Sequence, residues 1–312
     1  MRVTIIISLL LFFIRVSSQT ADDFYKIAEK YREQKNCISA IKEIDKAIRL
    51  DSAKWEYYNI KADCLTKIGQ YQDAFLVYTK GIKIDPNEGY LYNNRGTLLI
   101  SLSKFDYAIQ DFTRALELSK DDSAKMVAFT NRAAAKIDKR DFNGAYDDLI
   151  SAYKIDSTSI ATLINLGAVC DEVGKGNETL KYLLKAIEID PNFLGAYGNI
   201  GFKYQEMGQH EKAIEYYNKV LEFDPNEPLG FSNRAYNRMK LGDIKGAIED
   251  INKSIRIYPA NSYAYRIRAL IYIELKDYDK ACPDLQTALD KGFTVTFGDE
   301  VTNLQKKYCK VN

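Results

Sequence analysis

Apolar residues along this chain recur at helical spacing, in pairs of segments parted by a short polar break such as Ile68-Gly69-Gln70 or Met207-Gly208-Gln209. Each pair predicts two amphipathic helices folded into a hairpin. The hairpin restarts every 34 residues, so that phrases such as DAFLVYTKGIKIDPN and KAIEYYNKVLEFDPN occupy equivalent places. Units begin at Ala21, Trp55, Gly89, Met126, Ile160, Leu194, Pro228 and Ser262, and eight of them fill residues 21–295. Three extra residues, Ser123 to Lys125, precede the fourth unit and are expected in a connection, where added length costs little.

Within each unit the side-chain sizes follow an order. The fourth place is bulky (Phe24, Tyr58, Tyr92, Phe129, Leu163, Tyr197, Phe231, Tyr265) and the eighth is small (Ala28, Ala62, Gly96, Ala133, Gly167, Gly201, Ala235, Ala269). The second helix brings another small residue opposite (Ala40, Ala74, Ala108, Ala145, Thr179, Ala213, Ala247, Ala281), which lets the two backbones approach closely. Pro86, Pro191, Pro225 and Pro259 then stop the second helix.

This order of large, small, small and terminal proline resembles the tetratricopeptide repeat, over nearly the whole chain beyond residue 20. The resemblance implies an all-α fold: a right-handed superhelical solenoid of eight helical hairpins, first helices lining a concave face and second helices outside. It also implies a protein that binds other polypeptides. The relatives that grip the carboxylate tails of cytosolic chaperones need lysines and an arginine in the groove. No unit here has lysine in the fifth place with asparagine in the ninth, so that activity is not carried over.

The seventh place, usually apolar in the family, holds Arg95, Arg132, Arg234 and Arg268 in four units. The same four units carry Asp111, Asp148, Asp250 and Asp284 sixteen residues later. Units without the arginine lack the aspartate: Leu166 goes with Tyr182, Ile200 with Tyr216, and Lys61 with Val77. Pairing with the preceding unit would set Arg95 against Val77 and Arg234 against Tyr216, so the ion pair is expected within each hairpin. A structural clamp is the first expectation and a ligand-binding arginine the alternative.

Asparagine fills the sixth place of five consecutive units: Asn94, Asn131, Asn165, Asn199 and Asn233. On a groove-facing surface such a ladder would bond the backbone of an extended peptide; otherwise it ties neighbouring helices together. Tyr90, Phe202, Tyr236 and Tyr263 are the candidate groove aromatics, each equally open to a core role. Acids gather on the same places at Asp22, Glu29, Glu33, Glu56 and Asp63, and again at Asp171, Glu172 and Glu206, so the expected partner segment is apolar or mildly basic.

Five cysteines include no close metal-type pair. Residues 296–312 are expected as a capping helix, with Val301, Leu304 and Tyr308 covering the last hairpin and a turn around residues 292–297 folding it back. That return would bring Cys282 and Cys309 to one end, either as a disulfide or as two reduced packing residues.

Residues 1–18 read as a secretory signal: Arg2, an apolar run from Thr4 to Ile14, then Arg15 and Val16-Ser17-Ser18. The expectation is export, periplasmic or secreted, with cleavage after Ser18; the alternative is anchoring by the uncleaved segment. Forty-four basic against 43 acidic residues give a net charge of +1, which offers no field for nucleic acid. A single histidine, His210, leaves no histidine triad or multi-histidine metal site, and no cofactor is expected. The expected function is a non-enzymatic scaffold or adaptor holding a protein or peptide in the concave groove. The alternative is a structural component of a cell-envelope complex acting through outer-face or terminal contacts.

Overall fold

The computed structural model describes residues 19–309; the expected signal segment, residues 1–18, and residues 310–312 lie outside the described residues. All regular structure among the described residues is helical. The chain divides into two compact units between Lys139 and Arg140.

Unit 1 holds α1 (Ala21–Glu33), α2 (Cys37–Leu50), α3 (Trp55–Lys67), α4 (Tyr71–Ile84), α5 (Gly89–Ser101), α6 (Phe105–Leu118) and α7 (Asp122–Asp138). Here α1 packs on α2, α3 on α4 and α5 on α6, and each first helix also meets the next, α1 to α3 to α5 to α7. The close approach rests on the small residues: Ala28, Ala40, Ala62, Ala74 and Ala108 have no exposure. At Gly96 a side chain is excluded outright, because a Cβ would fall 2.7 Å from the Phe112 ring. Successive hairpins are stitched through the fourth place, where the Tyr58 hydroxyl donates to the Ser52 carbonyl (3.1 Å) and that of Tyr92 to the Pro86 carbonyl (3.2 Å).

The extra residues before the fourth unit do not lengthen a connection. They extend α7 to 17 residues against 13 in α5, because Asp121 caps the helix by accepting from the Ala124 amide and the added segment has good helical propensity.

Unit 2 holds α8 (Phe142–Ile155), α9 (Ile160–Val169), α10 (Gly176–Ile189), α11 (Leu194–Glu206), α12 (His210–Phe223), α13 (Pro228–Lys240), α14 (Ile244–Ile257), α15 (Ser262–Glu274), α16 (Tyr278–Asp290), α17 (Phe293–Phe297) and α18 (Glu300–Tyr308). Hairpins form from α9 with α10, α11 with α12, α13 with α14 and α15 with α16. One position of the inter-helix break is left-handed throughout the chain: Lys35, Gly69, Ser103, Arg140, Gly174, Gly208, Gly242 and Lys276 all have positive φ. Four of these are not glycine and carry the associated strain.

At the C-terminal end the expected turn proves to be a short helix, α17, set between Gly292 and Gly298, both of positive φ. It forms because Phe293 is drawn into the core at 1% exposure, beside Ala269, Leu285, Ala288 and Val301. Leu304 packs at the margin of that cluster, and Tyr308 stacks on Tyr278. Of the two states left open for Cys282 and Cys309, the structure has the disulfide, with Cα atoms 5.7 Å apart, joining α16 to the residue that follows α18.

Candidate functional site

Three of the four arginine–aspartate pairs are described. Arg95 donates through Nε and Nη2 to both carboxylate oxygens of Asp111 (2.8 Å each), and Arg234 grips Asp250 (2.8 and 2.7 Å) and Arg268 grips Asp284 (2.7 Å each) in the same two-pronged way. Arg132 lies on α7 in unit 1 and Asp148, buried, on α8 in unit 2. The three carboxylates are nearly buried and their charge is met in full, which leaves none of these arginines aimed at a ligand.

The third nitrogen of each guanidinium makes a bond that sequence reasoning missed. Nη1 of Arg95 donates to Thr79 Oγ1 (3.1 Å), of Arg132 to Thr113 Oγ1 (3.0 Å), of Arg234 to Asn218 Oδ1 (2.7 Å) and of Arg268 to Asn252 Oδ1 (2.9 Å). Every acceptor sits at one place of the second helix in the preceding hairpin, so the arginine welds two hairpins. The signal was present: ahead of Leu166 and Ile200, that place holds Ile150 and Leu184. Lys61 uses the same route, its ammonium 2.6 Å from Asp45 of the preceding hairpin.

The asparagine ladder divides. Asn94 donates to Asn59 Oδ1 (2.9 Å) and Asn131 to Asn93 Oδ1 (3.1 Å), so both amides tie neighbouring first helices. The fifth place of the preceding hairpin supplies the acceptor. Before Asn199 and Asn233 that place is Ile164 and Gly198, which have no side-chain acceptor. Among the described residues the side chains of Asn165, Asn199 and Asn233 form no hydrogen bond, and Asn199 is exposed.

The groove aromatics divide as well. Phe202 is 47% exposed on α11 and Tyr90 is 56% exposed on α5, at a cleft of about 200 Å³ bordered by Leu118 and Val127. Tyr236 and Tyr263 are instead partly buried, with the Arg266 guanidinium over both rings and Phe297 tilted against Tyr263. Arg266 is itself bound to Glu300 of α18 (2.5 Å).

A second cavity, about 210 Å³, opens between α9 and α11 with α10 as its floor. It is lined by Gly167, Ala168, Leu183, Asn199 and Phe202, with Asp171, Glu172, Lys203 and Glu206 at its polar edge. Here α9 runs for 10 residues where α11 runs for 13, and Ala168 stands at the place that Phe202 holds on α11. Burial works against the charge of Lys203, but Asp171 and Glu206 outweigh it and hold the ammonium above its ordinary range. Asp171 also accepts from Thr179 Oγ1 (3.0 Å). In unit 1 three of the five acids are matched: Asp22 takes Lys54 (2.6 Å) and the Tyr57 hydroxyl (2.8 Å), Glu29 the Tyr25 hydroxyl (3.0 Å) and Asp63 Lys67 (2.8 Å).

A third cavity, about 510 Å³, lies on unit 1 among Phe75, Leu99, Leu102 and Tyr107. Tyr107 on α6 and Leu76 on α4 are 62% and 64% exposed.

The remaining reactive groups are committed to packing. Burial, with the Cys37 thiol alongside, pushes Cys64 up to about 12, and burial pushes Cys170 up to about 11, so neither is a nucleophile near neutral pH. His210 Nδ1 lies 2.8 Å from Asn237 Oδ1. Asn237 spends its own amide protons on Gln205 Oε1 (2.7 Å) and the Asn233 carbonyl (2.8 Å), which makes Nδ1 the donor. Among the described residues no three His, Cys, Asp or Glu side chains gather as a metal site, and no helix is long and apolar enough to cross a membrane.

Comparison with known proteins agrees with this architecture. The chain is 35% identical over 96 residues to human DnaJ homolog subfamily C member 7, a stretch covering 30% of this chain and 19% of that protein. It is 29% identical over 127 residues to RNA polymerase II-associated protein 3 of Xenopus laevis, covering 41% and 19%. The chain thus spans about a fifth of the length of these relatives. Among solved structures, that of the APC/C hetero-tetramer Cut9-Hcn1 aligns with a TM-score of 0.66 at 15% identity, over 93% of this chain and 56% of that one. PilW, a type IV pilus biogenesis factor, aligns with a TM-score of 0.61 at 16% identity, over 68% and 96%. Both share the helical-hairpin fold. Tetratricopeptide repeat profiles match residues 56–88, 90–122, 195–227 and 233–292. Such repeats build protein-interaction scaffolds that are generally not enzymes. With its small residues buried where hairpins meet and its helices repeating in one register, the chain belongs to the tetratricopeptide repeat family.

Proposed function

We propose that the chain is a non-enzymatic adaptor that holds an extended segment of a partner protein along the first-helix face of unit 2, over α9, α11 and α13. The observation that carries this reading is the run of Asn165, Asn199 and Asn233, three side-chain amides at a 34-residue repeat with no hydrogen bond among the described residues. Packed helices lie about 8–10 Å apart, and an extended chain advances about 3.3 Å per residue. Successive amides therefore meet every third residue of a bound peptide, where each can donate to a carbonyl and accept from an amide. Phe202 and the cavity beside Asn199 supply apolar contact at the same level.

The working location in this reading is outside the cytoplasm, either free after cleavage at Ser18 or anchored by residues 1–18. The Cys282–Cys309 bond supports it, because such bonds persist in oxidising compartments. Nucleic acid, small-molecule substrates and cofactors have no part in this reading; the balanced charge of the chain supports it for nucleic acid. The test is affinity capture by the exported protein followed by mass spectrometry, comparing wild type with Asn165→Ala/Asn199→Ala. Partners held by the wild type should be lost from the double variant, and an unchanged set of partners would overturn the reading.

The second reading, a structural assembly component, draws on the cavity among Phe75, Leu99 and Tyr107 and on exposed Leu76. It predicts that Leu76→Ser/Tyr107→Ser abolishes capture while the asparagine variant is silent.

A further inference from the structure

Three carboxylates, Asp171, Glu172 and Glu206, stand at the edge of the cavity between α9 and α11, with Lys203 as the one cation among its lining residues. Lys203 is committed: its side chain is 14% exposed, and its ammonium bonds Asp171 and lies 3.4 Å from Glu206. Asp171 is committed too, to Lys203 and Thr179. Glu172 and Glu206 are left exposed, at equivalent places of consecutive hairpins, with a net charge of −2 over the four groups. The next equivalent place, on α13, is Lys240, so the negative stretch ends within two hairpins.

The cavity below these carboxylates has a mixed lining, with Thr179 and Asn199 beside Gly167, Ala168 and Leu183. Gly167, Ala168 and Leu183 form its wall and the exposed Phe202 ring its lip, a surface suited to an aliphatic stem whose charged head stays at the mouth. From the other side of α11, Tyr217 of α12 sends its ring against Gly201, where a Cβ would fall 3.0 Å from it. Its hydroxyl is buried, has no hydrogen-bond partner among the described residues, and lies within electrostatic reach of Glu206 and Tyr263.

We propose that this cavity is a specificity pocket for a lysine or arginine of the bound peptide. The stem lies along Gly167, Ala168, Leu183 and Phe202, the head is held by Glu172 and Glu206, and the flanking backbone is held by Asn199 and Asn233. The partner segment is thus extended and basic at one position, with apolar neighbours. This inference rests on the peptide-binding reading above and adds the chemistry of the ligand.

The test is selection from a displayed library of random dodecapeptides, using the full exported chain as bait. Selected peptides are then synthesised and titrated by fluorescence anisotropy against wild type, Glu172→Gln/Glu206→Gln and Asn199→Ala/Asn233→Ala. All three proteins should share one thermal midpoint, because the substituted side chains are exposed or unbonded. The expected result is lysine or arginine enriched at one position, with binding weakened roughly tenfold or more in the glutamine variant and also by 0.5 M salt. Peptides without a basic position, or binding unmoved in the glutamine variant but weakened in the alanine variant, would overturn the specificity pocket and leave the peptide groove standing. No retained peptide, or binding indifferent to both variants, would overturn the groove and the pocket with it.

Discussion

Units 1 and 2 carry the same asparagine at the same place of the repeat, yet they use it differently. In unit 1 Asn94 and Asn131 are spent on Asn59 and Asn93 of the preceding first helix. In unit 2 Asn165, Asn199 and Asn233 form no bond among the described residues, and the cavity beside Asn199 is edged by carboxylates only partly matched. A residue type at a repeat position therefore has no fixed role; Asn94 and Asn131 meet an asparagine one repeat earlier, whereas Asn199 and Asn233 meet Ile164 and Gly198, which have no side-chain acceptor. In the proposed reading the peptide-binding face lies in unit 2, while unit 1 has a larger cavity among Phe75, Leu99 and Tyr107.

The arginine clamps are common to both units and set the largest expected effect. Asp111→Ala in unit 1 and Asp284→Ala in unit 2 should each lower stability by about 3–5 kcal/mol in urea unfolding, since each strands a guanidinium that is 17% or 22% exposed. Arg95→Leu/Asp111→Tyr, which copies the Leu166 and Tyr182 combination, should recover most of that loss. A loss confined to one unit would show that the clamps are not equivalent.

Next in size is the disulfide, which has no counterpart in unit 1. Cys282→Ala/Cys309→Ala should cost about 3 kcal/mol and raise hydrogen exchange in α18 while leaving α1 to α6 unchanged.

The asparagines test the comparison directly. Asn94→Ala should cost about 1 kcal/mol, whereas Asn199→Ala and Asn233→Ala should each stay within about 0.5 kcal/mol. Equal losses in the two units would break it.

The smallest effect concerns the left-handed position between helices. Ser103→Gly in unit 1 should raise stability by about 1 kcal/mol and Gly208→Ala in unit 2 should lower it by a similar amount, read as opposite shifts in unfolding temperature.

Much of this was legible in the sequence because a repeat reports each contact several times over. The joint appearance of Arg95 with Asp111, Arg234 with Asp250 and Arg268 with Asp284 placed the carboxylates within the hairpin. The same covariation extends one hairpin backward to Thr79, Asn218 and Asn252, at a second place of the second helix. The split of the ladder was readable too, since Asn59 and Asn93 precede the tied amides and Ile164 and Gly198 precede two of the free ones.

The sequence by itself determined the helices, their pairing into hairpins and the register in which they repeat, because those follow from spacing and side-chain size along a single chain. It also determined that charge would be neutralised between helices and that a cap would follow the eighth hairpin. Only the tertiary structure decided which polar groups remain unspent. The third bond of each arginine and the placement of the Arg266 guanidinium over the Tyr236 ring each depend on what a neighbouring hairpin presents. Periodicity fixes the face a side chain takes, whereas its availability depends on atoms a full repeat away, which one-dimensional spacing does not encode.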